Sequence, residues 1–277
     1  MMRRFSKQAV TLSQTIYQTI LADLISPLWT AYCQRVPQAL RIHQLLEGHN
    51  KRVVHDHIGL RTLNFPWSSS SALGEKLGQY GYCIRDRASD PEQHLEYFWF
   101  HHPAPEVPAI LITELDIEAL TKSSQMILRE LASTTCHSTL WSLNQTPACK
   151  PALQPFEALL SESEIAAWFS LFGTSAHYFS VSVNQLDRQN DMSKLIKLLL
   201  EEGFTLDSQD RLIRKSDQTL LAQAITLPDQ LEVNLGDQEK VRVSTGCYHF
   251  TLRSKSPSGK LYKKFFSSTA FSGTQCD

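Results

Sequence analysis

Residues 55–61, with the sequence HDHIGLR, combine groups that bind metals and carboxylates with a buried strand pattern. Side chains alternate between the two faces of a strand, so His55, His57, Gly59 and Arg61 are expected on one face. Imidazole binds divalent iron, zinc or nickel, and a guanidinium holds a carboxylate through two parallel hydrogen bonds. The segment therefore predicts a metal ligand and a carboxylate clamp in one cavity. The alternative is a half-buried strand with a polar, solvated face.

Composition restricts the class of protein. The chain has 277 residues, of which 42% are hydrophobic and 20% charged, which is typical of a folded globular protein. Its net charge of -1 gives no electrostatic footprint for nucleic acid or an anionic membrane. The six cysteines include no C-x-x-C pair, so the pattern does not predict a zinc ribbon. No apolar stretch is long enough for a membrane span, and we expect a cytoplasmic location.

The first half reads as helices followed by a strand-rich module. A helical apolar stripe runs from about residue 5 to residue 46, and we expect it to form a layer on the sheet or a dimer contact. A strand is expected at 52–64 and a helix at 71–80, with Ser71 as its N-cap. Further elements are predicted as strands at 82–86, 95–101 and 109–115 and a helix at 117–132.

The second half repeats this order. A helix at 156–172 precedes an alternating strand at 178–184, and a helix at 192–202 ends at Gly203. Four strands then follow at 212–215, 220–226, 231–235 and 241–253. We therefore predict an α+β fold in which two βαβββ modules, like those of vicinal-oxygen-chelate proteins, form a curled mixed sheet around a central cavity. The predicted parts of this one compact unit are an N-terminal helical layer (1–50), a first module (51–135), a linker (136–155) and a second module (156–277).

Several blocks resemble one family in the same order along the chain. Residues 55–64 resemble the family signature NDHIALRTF, and residues 108–115 resemble its PKIFISEL strand. Residues 179–184 resemble FTVSVN, residues 202–208 with 220–223 resemble GFKLN and LLLQ, and residues 245–253 resemble SYYEFAER. On these blocks the chain is identified as a short, bacterial-type member of the 2-oxoadipate dioxygenase/decarboxylase (hydroxyglutarate synthase) family.

The resemblance implies an activity and a cofactor. Family members hold one iron(II) with two histidines and a glutamate, and they convert a 2-oxo dicarboxylic acid to a 2-hydroxy acid and carbon dioxide. Zinc or nickel can replace iron in purified protein. His57 matches the first ligand, and Arg61 matches the arginine that holds a substrate carboxylate. The implied partner is thus a small 2-oxo acid.

Two ligand positions depart from the family pattern. Tyr178 stands where the second histidine is expected, with His177 one residue earlier, and His249 replaces the glutamate. The expected metal ligands are therefore His57, His249 and His177, with Tyr178 as the alternative to His177. On a regular strand His177 would face away from the site, so it serves only if a bulge redirects it. Two functions stay open: a metal-dependent oxygenase, or a catalytically degenerate protein that binds small acids or acts as a scaffold.

Overall fold

Nine strands form the sheet that carries the candidate residues, in a computed structural model that describes residues 17–134, 143, 146–208, 211–216, 220–256, 259–262 and 265. The strands of the first half are β1 (His55–Leu63), β2 (Cys83–Asp90), β3 (Leu95–His101) and β4 (Ala109–Leu115). Those of the second half are β5 (Ser175–Ser182), β6 (Arg214–Ser216), β7 (Leu221–Ile225), β8 (Asp229–Asn234) and β9 (Lys240–Arg253). All the predicted strands are present, but β2 extends to Asp90, beyond the predicted end at residue 86, and β5 is Ser175–Ser182 where 178–184 was predicted.

Seven α-helices of four turns or fewer pack on the described part of the sheet. They are α1 (Ser26–Arg35), α2 (Pro37–His49), α3 (Ser70–Gln79), α4 (Lys122–Ser133), α5 (Leu153–Glu162), α6 (Glu164–Phe172) and α7 (Met192–Glu201). A π-helical turn (Leu21–Ile25) precedes α1, and 3-10 turns lie at Ile117–Ala119 and Val183–Gln185. None of these helices has the length and apolar character needed to cross a membrane.

Helix boundaries differ from the prediction in several places, and α4, for example, begins at Lys122 after a separate 3-10 turn instead of at residue 117. The predicted helix at 156–172 is two helices, because Ser163 is extended and its hydroxyl accepts a hydrogen bond from the Ala166 N–H, which starts α6. The cap of α3 is Ser69 rather than Ser71, since the Ser69 hydroxyl accepts from the Ala72 N–H. Residues 5–16 of the predicted N-terminal stripe and nearly half of the predicted linker at 136–155 lie outside the described residues.

The strand order shows the expected duplication. The strands lie in the order β2-β3-β4-β1-β5-β9-β7-β6, and β8 forms a hairpin with β9. In each half the first strand pairs in parallel with the last one, β1 with β4 and β5 with β9. The two halves meet where β1 and β5 pair antiparallel. This is the topology of paired βαβββ modules, the second of which has β8 as an additional strand, with β1, β5 and β9 side by side at the centre.

Two irregularities in the β1–β5 pairing decide which side chains share a face. The pairing shifts between His55 and His57, so these two histidines do not lie on the same face as predicted. His55 instead packs against Trp29 of α1 and Phe179, on the face covered by the N-terminal helices. The second shift lies between Gly59 and Leu60, where residue 177 of β5 is the additional residue. A bulge of this kind redirects side chains near it.

Separate apolar clusters cover the two faces of the sheet. One contains the inner residues of α1, α2, α3 and α7 with Ile58 and Leu60 of β1. The other contains α5 and α6 together with Trp99, Leu111 and Tyr178. His57, Arg61 and the cavity described below belong to this second face, so α6 is the helix nearest to the candidate site.

Candidate functional site

His57 and His249 lie in one row across the three central strands. His57 of β1 pairs with Ser180 of β5, which in turn pairs with His249 of β9. Paired residues of adjacent strands face the same side, and two strand spacings separate their α-carbons by roughly 10 Å. Both imidazoles are fully buried. The structure therefore brings these two predicted ligands, one from each half, to one place on the sheet.

The ring of Tyr178 fills the centre of this group. It stacks face to face on His249, with ring centroids 4.0 Å apart and planes 4° apart, and it meets His57 edge-on at 5.3 Å. It also lies directly over Gly59, where a β-carbon would stand 2.2 Å from the Tyr178 Cε1 atom. Gly59, which has no side chain, thus provides the space that the Tyr178 ring occupies.

An aspartate and an arginine fix the orientation of His57. Its Nδ1 atom lies 2.8 Å from Asp56 Oδ1. Arg253, at the end of β9, donates to both Asp56 oxygens at 2.7 Å. A histidine whose one nitrogen is bonded to a carboxylate presents the other nitrogen as a metal ligand. Among the described residues His57 Nε2 has no hydrogen-bond partner, although it is buried.

His177 occupies the bulge of β5 and reaches the same region. Its ring meets that of Tyr178 edge-on at 4.7 Å, and its buried Nδ1 atom has no hydrogen-bond partner within the described residues. The His177 carbonyl is closely approached by Gly246 of β9, which has a φ of +127° and would place a β-carbon 2.1 Å from that oxygen. Glycine at this position therefore lets β9 follow the bulge.

Arg61 lies in the wall of a cavity of about 400 Å³, together with His177 and Tyr178. The remaining lining residues include Tyr97, Leu111 and Thr113 of the sheet, Glu92 of the β2–β3 turn, and Glu162 to Ile165 at the start of α6. Arg61 Nη1 forms an ion pair with Glu164 Oε1 at 2.7 Å, and its guanidinium lies 5.2 Å from the centre of the Trp168 ring. His57 and His249 are not in this wall and lie beyond the Tyr178 ring.

Burial sets the protonation state of the aromatic donors. It lowers the pKa of His57, which Asp56 partly restores, and it lowers the pKa of His249 further, with a contribution from His57. It also lowers the pKa of His177, with contributions from Arg61 and His249. The pKa of the Tyr178 phenol is raised by burial and by the charge of Asp56. The site thus holds neutral imidazoles, which are the form that binds metals, and a protonated phenol.

These donors fit a metal ion through three buried polar atoms. His57 Nε2, His177 Nδ1 and the Tyr178 hydroxyl all lack hydrogen-bond partners in the described part of the chain, and such atoms are rare in buried positions. Across the same residues, no three His, Cys, Asp or Glu side chains come together as a metal site. A complete three-ligand site here therefore requires Tyr178, or a shift of His177, beside His57 and His249.

Three residues around the site have no counterpart in the sequence prediction. Glu164 and Trp168 lie on the first two turns of α6, and Arg253 ends β9. The spacing of four residues places Glu164 and Trp168 on one face of the helix, which is a detectable signal. Which partner that face meets depends on the packing of α6 against β1. Arg253 could not be assigned because its partner, Asp56, is distant in sequence.

Curated relatives support the family resemblance. The chain is 27% identical over 231 residues to a 2-oxoadipate dioxygenase/decarboxylase of Oryza sativa subsp. japonica, which covers 77% of this chain and 64% of that protein. It is 23% identical over 243 residues to the Arabidopsis thaliana protein of the same name, covering 81% and 66%. The chain spans slightly less than two thirds of these relatives. No family profile matches it.

Solved structures support the fold. A Shewanella frigidimarina protein provisionally named a hydrolase superposes with a TM-score of 0.82 and 29% identity, over 90% of this chain and 98% of that one. Hydroxyglutarate synthase of Oryza sativa with 2-oxoadipate gives 0.74 and 24%, over 91% and 84%. A Ralstonia eutropha protein provisionally placed in the glyoxalase superfamily gives 0.65 and 18%, over 93% and 85%. The predicted α+β fold of paired vicinal-oxygen-chelate-like modules is confirmed.

Proposed function

Because the chain belongs to the 2-oxoadipate dioxygenase/decarboxylase family, we propose that it binds a 2-oxo dicarboxylic acid and oxidatively decarboxylates it. The acid and dioxygen would give a 2-hydroxy acid one carbon shorter and carbon dioxide. The observation that carries the proposal is the position of Arg61, a buried cation in the wall of a cavity that also exposes His177 and Tyr178. This cavity is large enough for a small acid of this kind.

The described residues supply binding and orientation. Arg61 offers a planar fork to one carboxylate of the acid, and Trp168 supports the guanidinium from one side. Tyr97 and Leu111 form an apolar wall that limits access of water to the reacting carbon. The other end of the acid would then point toward His177 and Tyr178. These residues account for recognition, while the oxidation needs a redox cofactor.

We assign that cofactor as iron(II), held by His57 and His249 with Tyr178 or His177 as the third ligand. Its role when bound is to supply the reactivity toward dioxygen that the protein side chains lack. The support comes from His57, since Asp56 holds its Nδ1 and leaves Nε2 for a ligand. With a protonated phenol in the third position, this set carries less negative charge than two histidines and a glutamate. Zinc or nickel would also suit imidazole ligands.

One observation favours the alternative of a catalytically degenerate binding protein. The Tyr178 ring stacks on His249 and forms part of the cavity wall, so that it separates the cavity from the two histidines. An acid in the cavity would meet Tyr178 before it met His57 or His249. In this second function Arg61 still binds a small carboxylic acid, but the histidines serve only to pack the core. The homodimer and the cytoplasmic location stay predictions from the sequence.

Metal analysis and calorimetry test the two functions. We expect purified protein to contain close to one equivalent of metal and to consume oxygen when iron(II) and 2-oxoadipate are added. Protein that binds 2-oxoadipate but holds no metal and consumes no oxygen would support the binding function instead.

Arg61→Lys should weaken 2-oxoadipate binding at least about tenfold, because an ammonium cannot form the two parallel hydrogen bonds. Arg129→Lys, on an exposed ion pair with Glu118, is the control. Equal affinity in all three proteins would remove Arg61 from the site.

A further inference from the structure

Glu164 already holds one arm of the guanidinium that the proposed function assigns to the substrate. Arg61 Nη1 and Glu164 Oε1 are 2.7 Å apart, and this contact through one nitrogen and one oxygen leaves the bidentate arrangement incomplete. A carboxylate that approached Arg61 from the cavity with both oxygens would use two nitrogens at once and form a stronger pair. Glu164 therefore occupies part of the position that a ligand carboxylate needs.

The two partners differ in burial. The Arg61 side chain is 6% exposed, whereas that of Glu164 is 45% exposed. Separating them would cost Glu164 little, because its carboxylate can turn into water at the mouth of the cavity. Arg61 cannot follow it, and an unpaired buried guanidinium is costly. Arg61 thus requires an anion, either Glu164 or a ligand, and the two compete.

The surrounding contacts keep the rest of α6 in place when Glu164 turns away. The ring of Trp168, one turn after Glu164, lies against the Arg61 guanidinium, whose central carbon is 5.2 Å from the ring centre. Glu162, just before α6, accepts hydrogen bonds from the Thr121 N–H and hydroxyl and from the Ser124 hydroxyl at the start of α4. The exchange therefore needs only rotation of the Glu164 side chain. At the first position of α6 a free carboxylate is also favoured by the helix dipole.

We propose that Glu164 is a specificity-determining residue of this cavity. Its carboxylate excludes ligands that bind Arg61 less strongly than it does itself. Only an acid that engages the guanidinium with both carboxylate oxygens displaces Glu164. The proposal rests on the proposed function in one respect, namely that the natural ligand is an acid bound at Arg61. In this role Glu164 selects ligands at the mouth of the cavity and takes no part in the reaction itself.

Calorimetry on the Glu164→Gln variant tests this competition, with 2-oxoadipate and glutarate as probes. The variant should bind both acids about two- to fivefold more tightly than the unmodified protein, which corresponds to the loss of a partly exposed ion pair. Glu92→Gln is the matched control, since Glu92 lines the same cavity while the Arg61 ion pair is made with Glu164. It removes the same charge from the mouth and should change binding less.

A second measurement does not depend on the substrate. Without any acid present, Arg61 of Glu164→Gln should react faster with an arginine-specific dicarbonyl reagent than Arg61 of the other two proteins, as read by peptide mass spectrometry. Weaker acid binding by Glu164→Gln would show that Glu164 positions Arg61, and an effect equal to that of Glu92→Gln would show general electrostatics. Either result overturns the proposal. If no protein binds 2-oxoadipate, the proposed function fails, and the dicarbonyl rates alone decide the role of Glu164.

Discussion

The Tyr178 ring lies directly over the α-carbon of Gly59, at the point where β1 and β5 pair. A β-carbon at residue 59 would stand 2.2 Å from the ring, well inside the contact distance of two carbon atoms. The same ring stacks on His249 and touches the edge of His57. Gly59, which has no side chain, thus determines where the ring of Tyr178 lies, the residue that stands in place of the family's second histidine.

Gly59→Ala should destabilise the protein by about 1–3 kcal/mol, because the added methyl group forces the Tyr178 ring or the strand to move in a packed interior. Urea unfolding gives the free energy. Gly48→Ala, at a helical position with no neighbour within 4 Å, should be neutral or stabilising by up to about 1 kcal/mol.

The Tyr178→Ala background isolates the contact. There the cost of Gly59→Ala should fall by more than about 1 kcal/mol, since neighbouring changes in contact are not additive. An undiminished cost would mean that the alanine is rejected by the backbone and not by the ring.

A second prediction concerns the buried pair behind His57. Asp56→Asn removes the carboxylate to which the largely buried Arg253 guanidinium donates two hydrogen bonds, and this should cost about 3 kcal/mol of the free energy of unfolding. The contact that orients His57 through its Nδ1 atom is weakened at the same time, so iron(II) affinity should also fall about 10- to 100-fold. Urea unfolding and metal titration measure the two effects.

Glu232→Gln provides the comparison, because Glu232 and Lys240 form an ion pair in which both side chains are exposed to solvent. This variant should unfold with nearly unchanged free energy. If the two variants lost stability equally, the Asp56–Arg253 pair would not hold β1 against the end of β9.

Sequence periodicity predicted the strands well because each strand of the site alternates over several residues. It placed His57, Gly59 and Arg61 on one face, and the register confirms that part of the pattern. The prediction that His55 lies on the same face was wrong, because a shift in pairing next to Asp56 turns its side chain toward Trp29. A bulge is a property of two strands together, so one strand's pattern cannot reveal it.

The candidate site was predictable to the extent that its residues come from motifs. His57, Tyr178 and His249 stand at motif positions, and the structure brings them together. The bulge that redirects His177 was a condition stated from the sequence, and β5 has it at residue 177. The Glu164 contact with Arg61 was beyond prediction, since it depends on how α6 packs against β1 and on no local pattern.

The last prediction concerns the two altered ligand positions. Tyr178→His with His249→Glu removes the stacked pair of rings, frees space over Gly59 and places two histidines and a carboxylate around one point. The carboxylate adds a negative charge beside the metal, so iron(II) should bind at least about tenfold more tightly than in the unmodified protein. Oxygen consumption with 2-oxoadipate and iron(II) should rise, because the unmodified donor set is expected to turn over weakly or not at all.

The matched control is Tyr178→His with His249→Gln, which keeps the shape of the glutamate but not its charge. Without metal, the carboxylate buried at position 249 should lower the melting temperature of the double variant, and added iron(II) should restore it. Rapid turnover by the unmodified protein together with slower turnover by the double variant would show that Tyr178 and His249 do not impair the site.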